Sequence, residues 1–188
     1  MKLSGSYQIN LEKQKVWEAL NDPEILKKSI PGCEEFKKNS ETEFTATATN
    51  KIGPFNATFT GDIELKDLNS PNSYKITGSG NSPVGFANGE ATVTLEDFEG
   101  GTKLNYSVEA NVGGKIAQIG SRLIDMTAKK MADIFFGKFS EIISNKATID
   151  KIEEISENKI PREKKPLKKL LIIASLVIII GIIVYYIN

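Results

Sequence analysis

The chain of 188 residues contains no histidine and only one cysteine, Cys33. Histidine is the side chain that most often acts as a general base, and histidine and cysteine supply most ligands of structural zinc sites. A single cysteine cannot form an internal disulfide bond. The composition therefore argues against a histidine-dependent enzyme, a zinc protein and a disulfide-stabilised domain. We predict no catalytic residue and no metal site.

The chain also has no net charge, and its first residues are not expected to be a signal peptide. Lys plus Arg and Asp plus Glu both number 24, so the formal net charge is zero. Domains that bind nucleic acid usually carry a clear excess of basic residues, and we expect no nucleic-acid partner. The first residues, MKLSGSYQINLEKQ, alternate between apolar and polar side chains. They lack the continuous apolar core of a secretory signal peptide.

A long hydrophobic run occurs only at residues 170–187, LLIIASLVIIIGIIVYYI. As a helix this run would be roughly 27 Å long, which is close to the thickness of the hydrocarbon core of a bilayer. It is apolar on every side, and Tyr185 and Tyr186 lie where interfacial aromatic residues are common. We therefore predict a single transmembrane helix at residues 170–187.

Basic residues flank this run on its N-terminal side only. They are Arg162, Lys164, Lys165, Lys168 and Lys169. By the positive-inside rule, residues 1–169 face the cytoplasm, and the chain is predicted to be a single-pass, tail-anchored protein of the cell membrane. The same side chains are expected to contact anionic lipid headgroups. They belong to a charged linker, residues 146–169, between the anchor and a domain at residues 1–145.

Alternation of apolar and polar residues dominates residues 2–112 and predicts antiparallel strands with one buried face. The alternating segments are 3–11, 44–48, 55–66, 74–80, 91–95 and 104–112. Two stretches have helical periodicity instead: residues 11–32 hold two short helices, and a long amphipathic helix begins after Gly114. This order predicts an α+β fold in which an antiparallel sheet curls around the C-terminal helix.

Small residues are frequent at the inward positions of these strands, and none of those positions is charged. The small residues are Gly5, Ala46, Ala48, Ala57, Gly61, Gly78, Gly80, Ala91 and Ala110. Because protein interiors are close-packed, either bulky neighbours such as Trp17 and Phe135 fill the remaining space, or the space is an apolar cavity for a ligand. Tyr7, Tyr74 and Tyr106 would be the main polar groups of such a cavity.

Phe136 is predicted to lie on the charged side of the long helix, away from its apolar arc. Either the charged linker or a neighbouring loop covers the ring, or Phe136 is exposed and, together with Phe139, contacts a partner protein or the bilayer surface. Phe86, in the VGFANG hairpin, is an alternative candidate for this contact. The apolar arc consists of Ile116, Gly120, Leu123, Ile124, Thr127, Met131, Ile134, Phe135 and Ile142.

Cys33 follows Pro31-Gly32 in the stretch SIPGCEEF, and this pair is typical of the centre of a type II turn. Glu34 and Glu35 come next, and their negative charge is expected to raise the pKa of the thiol. This favours a structural residue after a turn over a nucleophile. The glycine-rich stretch GSGNSPVG, residues 78–85, lacks the lysine and the following helix of a phosphate-binding loop, so it is predicted to be a plain turn.

Four stretches together resemble the CoxG family of carbon monoxide dehydrogenase subunits, and the resemblance covers residues 1–145. They are VWEALNDPEILKKSIPGCE (16–34), GFANGEATVTLE (85–96), GTKLNYSVEANVGGKIAQIGSRLID (101–125) and AKKMADIFFGKF (128–139). The resemblance implies a START-like helix-grip fold, with a seven-stranded antiparallel sheet, a long C-terminal helix and an apolar cavity. It also implies that the IPGC turn is a signature of this fold near the cavity mouth.

The resemblance further implies a non-catalytic accessory protein. Members of the family are associated with molybdenum hydroxylases such as aerobic carbon monoxide dehydrogenase, and they are thought to recruit the enzyme to the membrane and to carry a quinone. The expected ligand is a non-covalent, menaquinone-like quinone or another isoprenoid lipid. The residues expected to line its cavity are Tyr7, Trp17, Ala46, Ala57, Phe59, Gly61, Tyr74, Phe86, Tyr106, Ala110, Leu123, Thr127, Met131 and Phe135.

Two other functions stay open. One is a pure membrane tether with a filled core, in which only the transmembrane helix matters. The other is an enzyme, because the same superfamily includes cyclases and hydrolases. The missing histidine and the uncharged inward strand faces argue against the enzyme.

Removal of residues 167–188 is expected to move the protein from the membrane to the soluble fraction as a folded domain, because no preceding segment needs lipid. The measurement is fractionation of cells that produce the full or the shortened chain, after a high-salt wash of the membranes. A shortened chain that stays in the washed membranes would contradict the assignment of residues 170–187 as the anchor.

Overall fold

The computed structural model describes the backbone of residues 1–159 and the side chains of residues 1–149. Residues 1–149 form one compact unit. The described elements, in chain order, are β1 (Lys2–Ile9), α1 (Lys13–Leu20), α2 (Pro23–Ser29), β2 (Cys33–Lys38), β3 (Glu43–Ile52), β4 (Phe55–Asn69), β5 (Ser73–Ser82), β6 (Gly85–Phe98), β7 (Gly101–Gly113), a 3-10 helix (Lys115–Ile119) and α3 (Ser121–Lys159).

The seven strands form a single sheet in the order β1-β7-β6-β5-β4-β3-β2. Every neighbouring pair is antiparallel. From β2 to β7 each strand pairs with the next along the chain, and β1 pairs with β7, so β1 and β2 are the two edges. The predicted α+β arrangement, an antiparallel sheet with a long C-terminal helix, is confirmed.

Burial alternates along the strands, as the sequence pattern predicts. In β4, Ala57 and Leu65 are buried, while the residues between them at even positions are exposed. The outward positions of β3 and β4 carry threonines that pair across the strands, and the Thr47 and Thr60 hydroxyl oxygens are 3.1 Å apart. One face of the sheet is therefore polar and hydrogen-bonded, and the other is apolar and faces the interior.

The start of α2 and the packing of α1 are explained by residues within or next to each helix. Asp22 precedes α2, and its side chain accepts hydrogen bonds from the backbone N–H groups of Glu24, at 2.9 Å, and Ile25, at 3.3 Å. Pro23 occupies the first turn, where a missing N–H costs nothing. In α1, Val16 and Leu20 are one turn apart and buried, which fixes this helix against the core.

The strand β2 was not predicted by alternation. Of its residues only Phe36 is buried, because β2 is an edge strand with charged side chains on both sides of that ring. Such a short edge strand has too little alternation to be recognised from its pattern. The seven-stranded sheet implied by the family resemblance required this strand, and the structure contains it.

The buried face of the long helix is shifted from the one predicted. Phe136 and Phe139 are buried, with 8% and 0% of their surface exposed, whereas Leu123 and Ile134 are exposed. The expectation that Phe136 lies exposed on a charged face is therefore wrong. Its ring is covered by strands β1 and β7, not by the charged linker or a loop. Phe139 is likewise no surface anchor, because it lies in the core.

Aromatic packing explains this shift. The Phe136 ring stacks on Tyr7 of β1, with ring centroids 4.2 Å apart, and on Tyr106 of β7, at 5.4 Å. Stacked aromatic rings bury more apolar area than the aliphatic side chains of the predicted arc. Gly120, with a φ of 90°, also separates the 3-10 helix from α3, so the predicted helix is two elements. The predicted arc is right in part: Ile116 is buried and Ile124, Thr127, Met131 and Phe135 are half-buried, while Leu123 and Ile134 are exposed.

No helix within residues 1–159 is long and apolar enough to span a bilayer. The predicted transmembrane helix at residues 170–187 lies outside the described residues. So do the predicted headgroup contacts Lys164, Lys165, Lys168 and Lys169. The predicted linker begins within α3, because that helix extends to Lys159.

Phe139→Ala is expected to lower the free energy of unfolding by about 3–5 kcal/mol, because it removes a fully buried ring from the core that contains Val16 and Leu104. The measurement is urea unfolding of residues 1–149, which hold the described core. The matched control is Ile134→Ala on the exposed side of the same helix, with an expected cost below about 1 kcal/mol. Equal losses for the two variants would contradict the burial of this helix face.

Candidate ligand cavity

A cavity of about 570 Å³ lies between the apolar face of the sheet and the N-terminal half of α3. A second, smaller cavity of about 190 Å³ shares wall residues with it, including Phe135 and Phe136. The larger cavity is lined by Met1, Leu3, Ile30, Pro31, Ala48, Asn50, Ile52, Phe59, Ile76, Ala87, Ala91, Val93, Tyr106, Val108, Val112, Ile116, Ile124, Thr127, Ala128, Met131, Ala132, Phe135 and Phe136.

The wall of the larger cavity offers very few polar groups. No Asp, Glu, Lys or Arg side chain of the described residues lines it. The Asn50 amide donates to the Pro31 carbonyl at 2.9 Å, and the Thr127 hydroxyl donates to the Leu123 carbonyl at 2.8 Å, so the protein already uses both groups. The phenol of Tyr106 is therefore the polar side chain of the wall best suited to address a ligand.

Tyr106 is held in place by the aromatic cluster Tyr7–Tyr106–Phe136. The ring centroids of the two tyrosines are 6.2 Å apart, and Phe136 stacks on both. Tyr106 also lies directly over Gly5 of β1, because a Cβ at that position would come within 2.8 Å of the tyrosine ring. Gly5 is therefore small to admit this ring, and the cluster fixes the Tyr106 side chain at the cavity wall.

The cluster keeps its phenols protonated. Tyr7 donates a hydrogen bond to the carboxylate of Asp133, which also pairs with Lys129 at 3.2 Å. Burial, followed by this hydrogen bond, raises the pKa of Tyr7, and burial is also the main cause that raises the pKa of Tyr106. The hydrogen bond from Tyr7 and then the one from Lys129 lower the pKa of Asp133. At neutral pH both phenols are thus protonated, Tyr7 donates a hydrogen bond to Asp133, and the Asp133 carboxylate is ionised.

The IPGC turn forms part of the cavity wall. Ile30 and Pro31 line the cavity, and the Cys33 N–H donates to the Ile30 carbonyl at 3.2 Å, which closes a turn over Pro31 and Gly32. Gly32 has a φ of 66°, as the third residue of a type II turn requires. A Cβ there would meet the Thr49 carbonyl oxygen at 2.0 Å, so glycine is needed for the conformation and for the close approach to β3.

Cys33 is half-buried at the start of β2, and its thiol donates to the Glu35 carbonyl at 3.3 Å. The pKa of the thiol is raised, as the sequence suggested, but burial is the main cause and the charge of Glu34 is a minor one. The positive charge of Lys27 acts in the opposite direction. A thiol with a raised pKa fits a structural residue better than a nucleophile.

The structure brings five of the predicted cavity residues together in the larger wall. They are Phe59, Tyr106, Thr127, Met131 and Phe135. Tyr74 lines the smaller cavity, where its ring meets the edge of Trp17 with centroids 5.3 Å apart. Trp17 itself lies in the core and outside both walls. Contact of any of these residues with a ligand stays a prediction.

The other predicted residues lie elsewhere for identifiable reasons. Ala46 packs against the core, Ala57 is buried, and Ala110 is half-buried, but none of the three lines either cavity. A Cβ at Gly61 would come within 1.7 Å of the Ser79 carbonyl oxygen. The small size of Gly61 therefore serves the close approach of β4 and β5 and does not enlarge the cavity.

Three further predicted residues lie beside the cavity or at its edge. Tyr7 packs behind Tyr106 and Phe136 in the aromatic cluster. Phe86 and Leu123 are exposed, each with 39% of its surface accessible to solvent. Phe86 belongs to the first residues of β6, since that strand begins at Gly85 and not near residue 91 as predicted.

Several wall residues were missed by the sequence analysis. Ile76, Val93 and Val108 occupy strand positions whose side chains face inward, so the alternation of apolar and polar residues could have identified them. Ala128, Ala132 and Phe136 could not be found in this way, because they depend on which side of α3 faces the sheet. Ile30 and Pro31 reach the wall through the turn, for which no periodic pattern exists.

This fold and its cavity define a START-like helix-grip protein. A conserved protein from Geobacillus kaustophilus has a similar structure, with 32% sequence identity and a TM-score of 0.74, over 77% of this chain and 96% of that one. A Thermus thermophilus protein shares the fold at 13% identity, with a TM-score of 0.59 over 77% of this chain and 98% of that one. Ara h 8.0201 shares it at 16% identity, with a TM-score of 0.57 over 77% of this chain and 98% of that one.

The sequence model of the CoxG family, a family of carbon monoxide dehydrogenase subunits, matches residues 5–144. The chain belongs to this family, which confirms the resemblance found in the sequence. No curated protein matches the chain.

The three tyrosines of residues 1–149 are expected to resist ionisation in the folded domain, because burial raises the pKa of Tyr74, Tyr7 and Tyr106 above the ordinary value of about 10. Unfolding above that pH then releases protons, so the contribution of these tyrosines to the free energy of unfolding is constant below about pH 10 and falls as the pH rises above it. Ultraviolet absorbance of phenolate during a pH titration measures this. A tyrosine that titrates at the ordinary pKa while the domain is folded would contradict the described packing.

Proposed function

We propose that this chain is a membrane-anchored, non-catalytic accessory protein of a molybdenum hydroxylase of the carbon monoxide dehydrogenase type. In this proposal its cavity binds an apolar ligand, with a quinone as the best candidate. Membership in the CoxG family supports the accessory role. The observation that carries the ligand is the apolar cavity of about 570 Å³.

The residues present fit a quinone or another isoprenoid lipid. The cavity volume lies within the range of about 300–1,000 Å³ that is common for small-molecule sites. Its aliphatic and aromatic wall matches a hydrocarbon tail, and a quinone would supply redox chemistry together with two carbonyl acceptors. The protonated phenol of Tyr106 is a suitable donor for such a carbonyl. Binding in a dry, apolar site with one or two polar contacts is the usual design of such pockets.

The wall also supports a carrier over an enzyme. General acid–base catalysis needs a titratable group whose pKa lies near the working pH, and the wall contains no carboxylate, amine or imidazole side chain. Among the described residues no group of histidine, cysteine, aspartate and glutamate side chains could hold a metal ion. A pure tether would not need the cavity, so the space itself favours a bound ligand.

The proposed membrane location depends on the hydrophobic run at residues 170–187 and its basic flank. In this proposal the anchor holds the domain on the cytoplasmic side, where the hydroxylase can bind. The shortened chain without residues 167–188 should then leave the hydroxylase in the soluble fraction of cells that make both proteins. Unchanged membrane association of the hydroxylase would count against recruitment by this chain.

Ala128→Phe is expected to abolish co-purification of an apolar ligand, because Ala128 lies in the cavity wall and the added ring fills the space. The cost in stability should be small, since no core side chain is displaced. The measurement is native mass spectrometry of detergent-purified full-length protein before and after solvent extraction, followed by identification of the extracted molecule.

The matched control is Ala147→Phe, in the same helix but outside both cavity walls, which should keep the ligand. A large loss of stability on Ala128→Phe, about 1–3 kcal/mol or more, with no ligand in the unchanged protein would favour the tether. Ligand retention by Ala128→Phe would show that the molecule binds elsewhere.

A further inference from the structure

Three segments meet at one end of the sheet and form what we call the mouth rim. They are the β3–β4 hairpin (51–54), the β5–β6 hairpin (82–86) and the segment from the end of β7 to the start of α3 (113–126). The Ile116 N–H donates to the Val84 carbonyl at 2.9 Å. A Cβ at Gly53 would lie 3.4 Å from side-chain atoms of Ile119 and Leu123. The rim is therefore one continuous surface.

The larger cavity reaches this rim. Ile52 of the first hairpin, Ile116 of the 3-10 helix and Ile124 of α3 belong to both the rim and the cavity wall. A ligand that enters or leaves at this end would pass between these three side chains. The surface that the mouth rim contacts is therefore the source from which a ligand could enter at this end.

Large apolar side chains project from the rim into solvent. Phe86 and Leu123 are each 39% exposed, and Met126 is 61% exposed. The Phe86 ring lies so close to Gly113 that a Cβ there would be 2.3 Å from it, so the backbone supports one side of the ring. An exposed apolar patch beside a cavity mouth is characteristic of a surface that binds another apolar surface.

The charge of the mouth rim indicates what kind of surface it would bind. Its exposed charged side chains are Lys51, Lys115 and Arg122, and its only acidic residue is Asp125, one of whose carboxylate oxygens is buried. The β6–β7 hairpin, at the opposite end of the sheet, has the opposite charge. This hairpin and its flanks carry Glu96, Asp97 and Glu99 against one lysine, Lys103. A neutral chain thus has an end that is both basic and apolar.

We propose that the mouth rim docks onto the surface of an anionic lipid bilayer, with Phe86, Leu123 and Met126 inserted among the lipids and the three basic residues paired with headgroups. Basic side chains next to exposed aromatic and aliphatic ones are the usual combination for binding at a membrane interface. This inference rests on the proposed ligand cavity, because it turns the cavity mouth toward the lipids that would contain an isoprenoid ligand.

Residues 1–149 are the protein for the test, since the predicted anchor would hide a weaker contact. They form one compact unit, and the Geobacillus protein is a relative that consists almost entirely of this domain, because the alignment covers 96% of it. The assay is flotation with phosphatidylcholine vesicles that contain or lack phosphatidylglycerol. We expect binding only with phosphatidylglycerol, and weaker binding as the salt concentration rises.

Two sets of variants separate the rim from the rest of the surface. Phe86→Ser with Met126→Gln should weaken vesicle binding by about tenfold or more. Its matched control is Phe98→Ser, which changes a ring with the same 39% exposure at the opposite end of β6. Exchange of Lys51, Lys115 and Arg122 for Gln should weaken binding by roughly fivefold for each charge. Exchange of Lys37, Lys66 and Lys103 for Gln removes the same charge away from the rim and should have little effect.

Ligand retention is measured on the same proteins, together with circular dichroism to verify the fold. If the unchanged domain binds no anionic vesicles, or if both rim sets bind as well as their controls, the docking inference is wrong whatever the cavity holds. If the rim variants lose a protein partner while the unchanged domain ignores vesicles, the rim is a protein interface and the inference is again wrong. If the protein binds vesicles through the rim but never holds a ligand, the docking inference is supported and the proposed carrier function is wrong.

Discussion

The position of α3 against the sheet depends on the ring of Phe136, which stacks on Tyr7 and Tyr106. Beyond this contact, toward the C-terminus, Phe139 and Ile143 are buried in the core. Before it, the wall positions Ala128 and Ala132 are small. The helix is therefore held tightly along one part of its length and leaves space along the other. The cavity lies beside the part of the helix in which two wall positions, Ala128 and Ala132, are alanine.

The sheet could be predicted from the sequence because alternation is a local property. Residues such as Phe59 and Tyr106 were assigned to the inward face only because they occupy alternate positions along their strands. The structure places both in the cavity wall. The face of α3 could not be predicted in the same way, since apolar residues occur around most of its circumference. Which of them is buried depends on the aromatic partners that two distant strands present, and spacing within the helix does not contain that information.

Small inward residues were the sequence signal for a cavity, but they have several physical causes. Ala48 and Ala91 do line the cavity. Gly5 instead makes room for the ring of Tyr106, and Gly61 allows two strands to approach. A sequence alone cannot separate these causes, because each appears as a missing side chain on the same face. The wall of the larger cavity offers little chemistry beyond the phenol of Tyr106.

The cavity also has a mechanical consequence. The lining of this space is apolar, and unfolding eliminates the part of it that water does not fill, which makes the unfolded chain the smaller state in volume. Hydrostatic pressure would act against the folded domain while the space is unfilled, and a hydrocarbon chain bound there would remove most of that sensitivity. A molecule that occupies this space would therefore serve the domain as a removable part of its own interior.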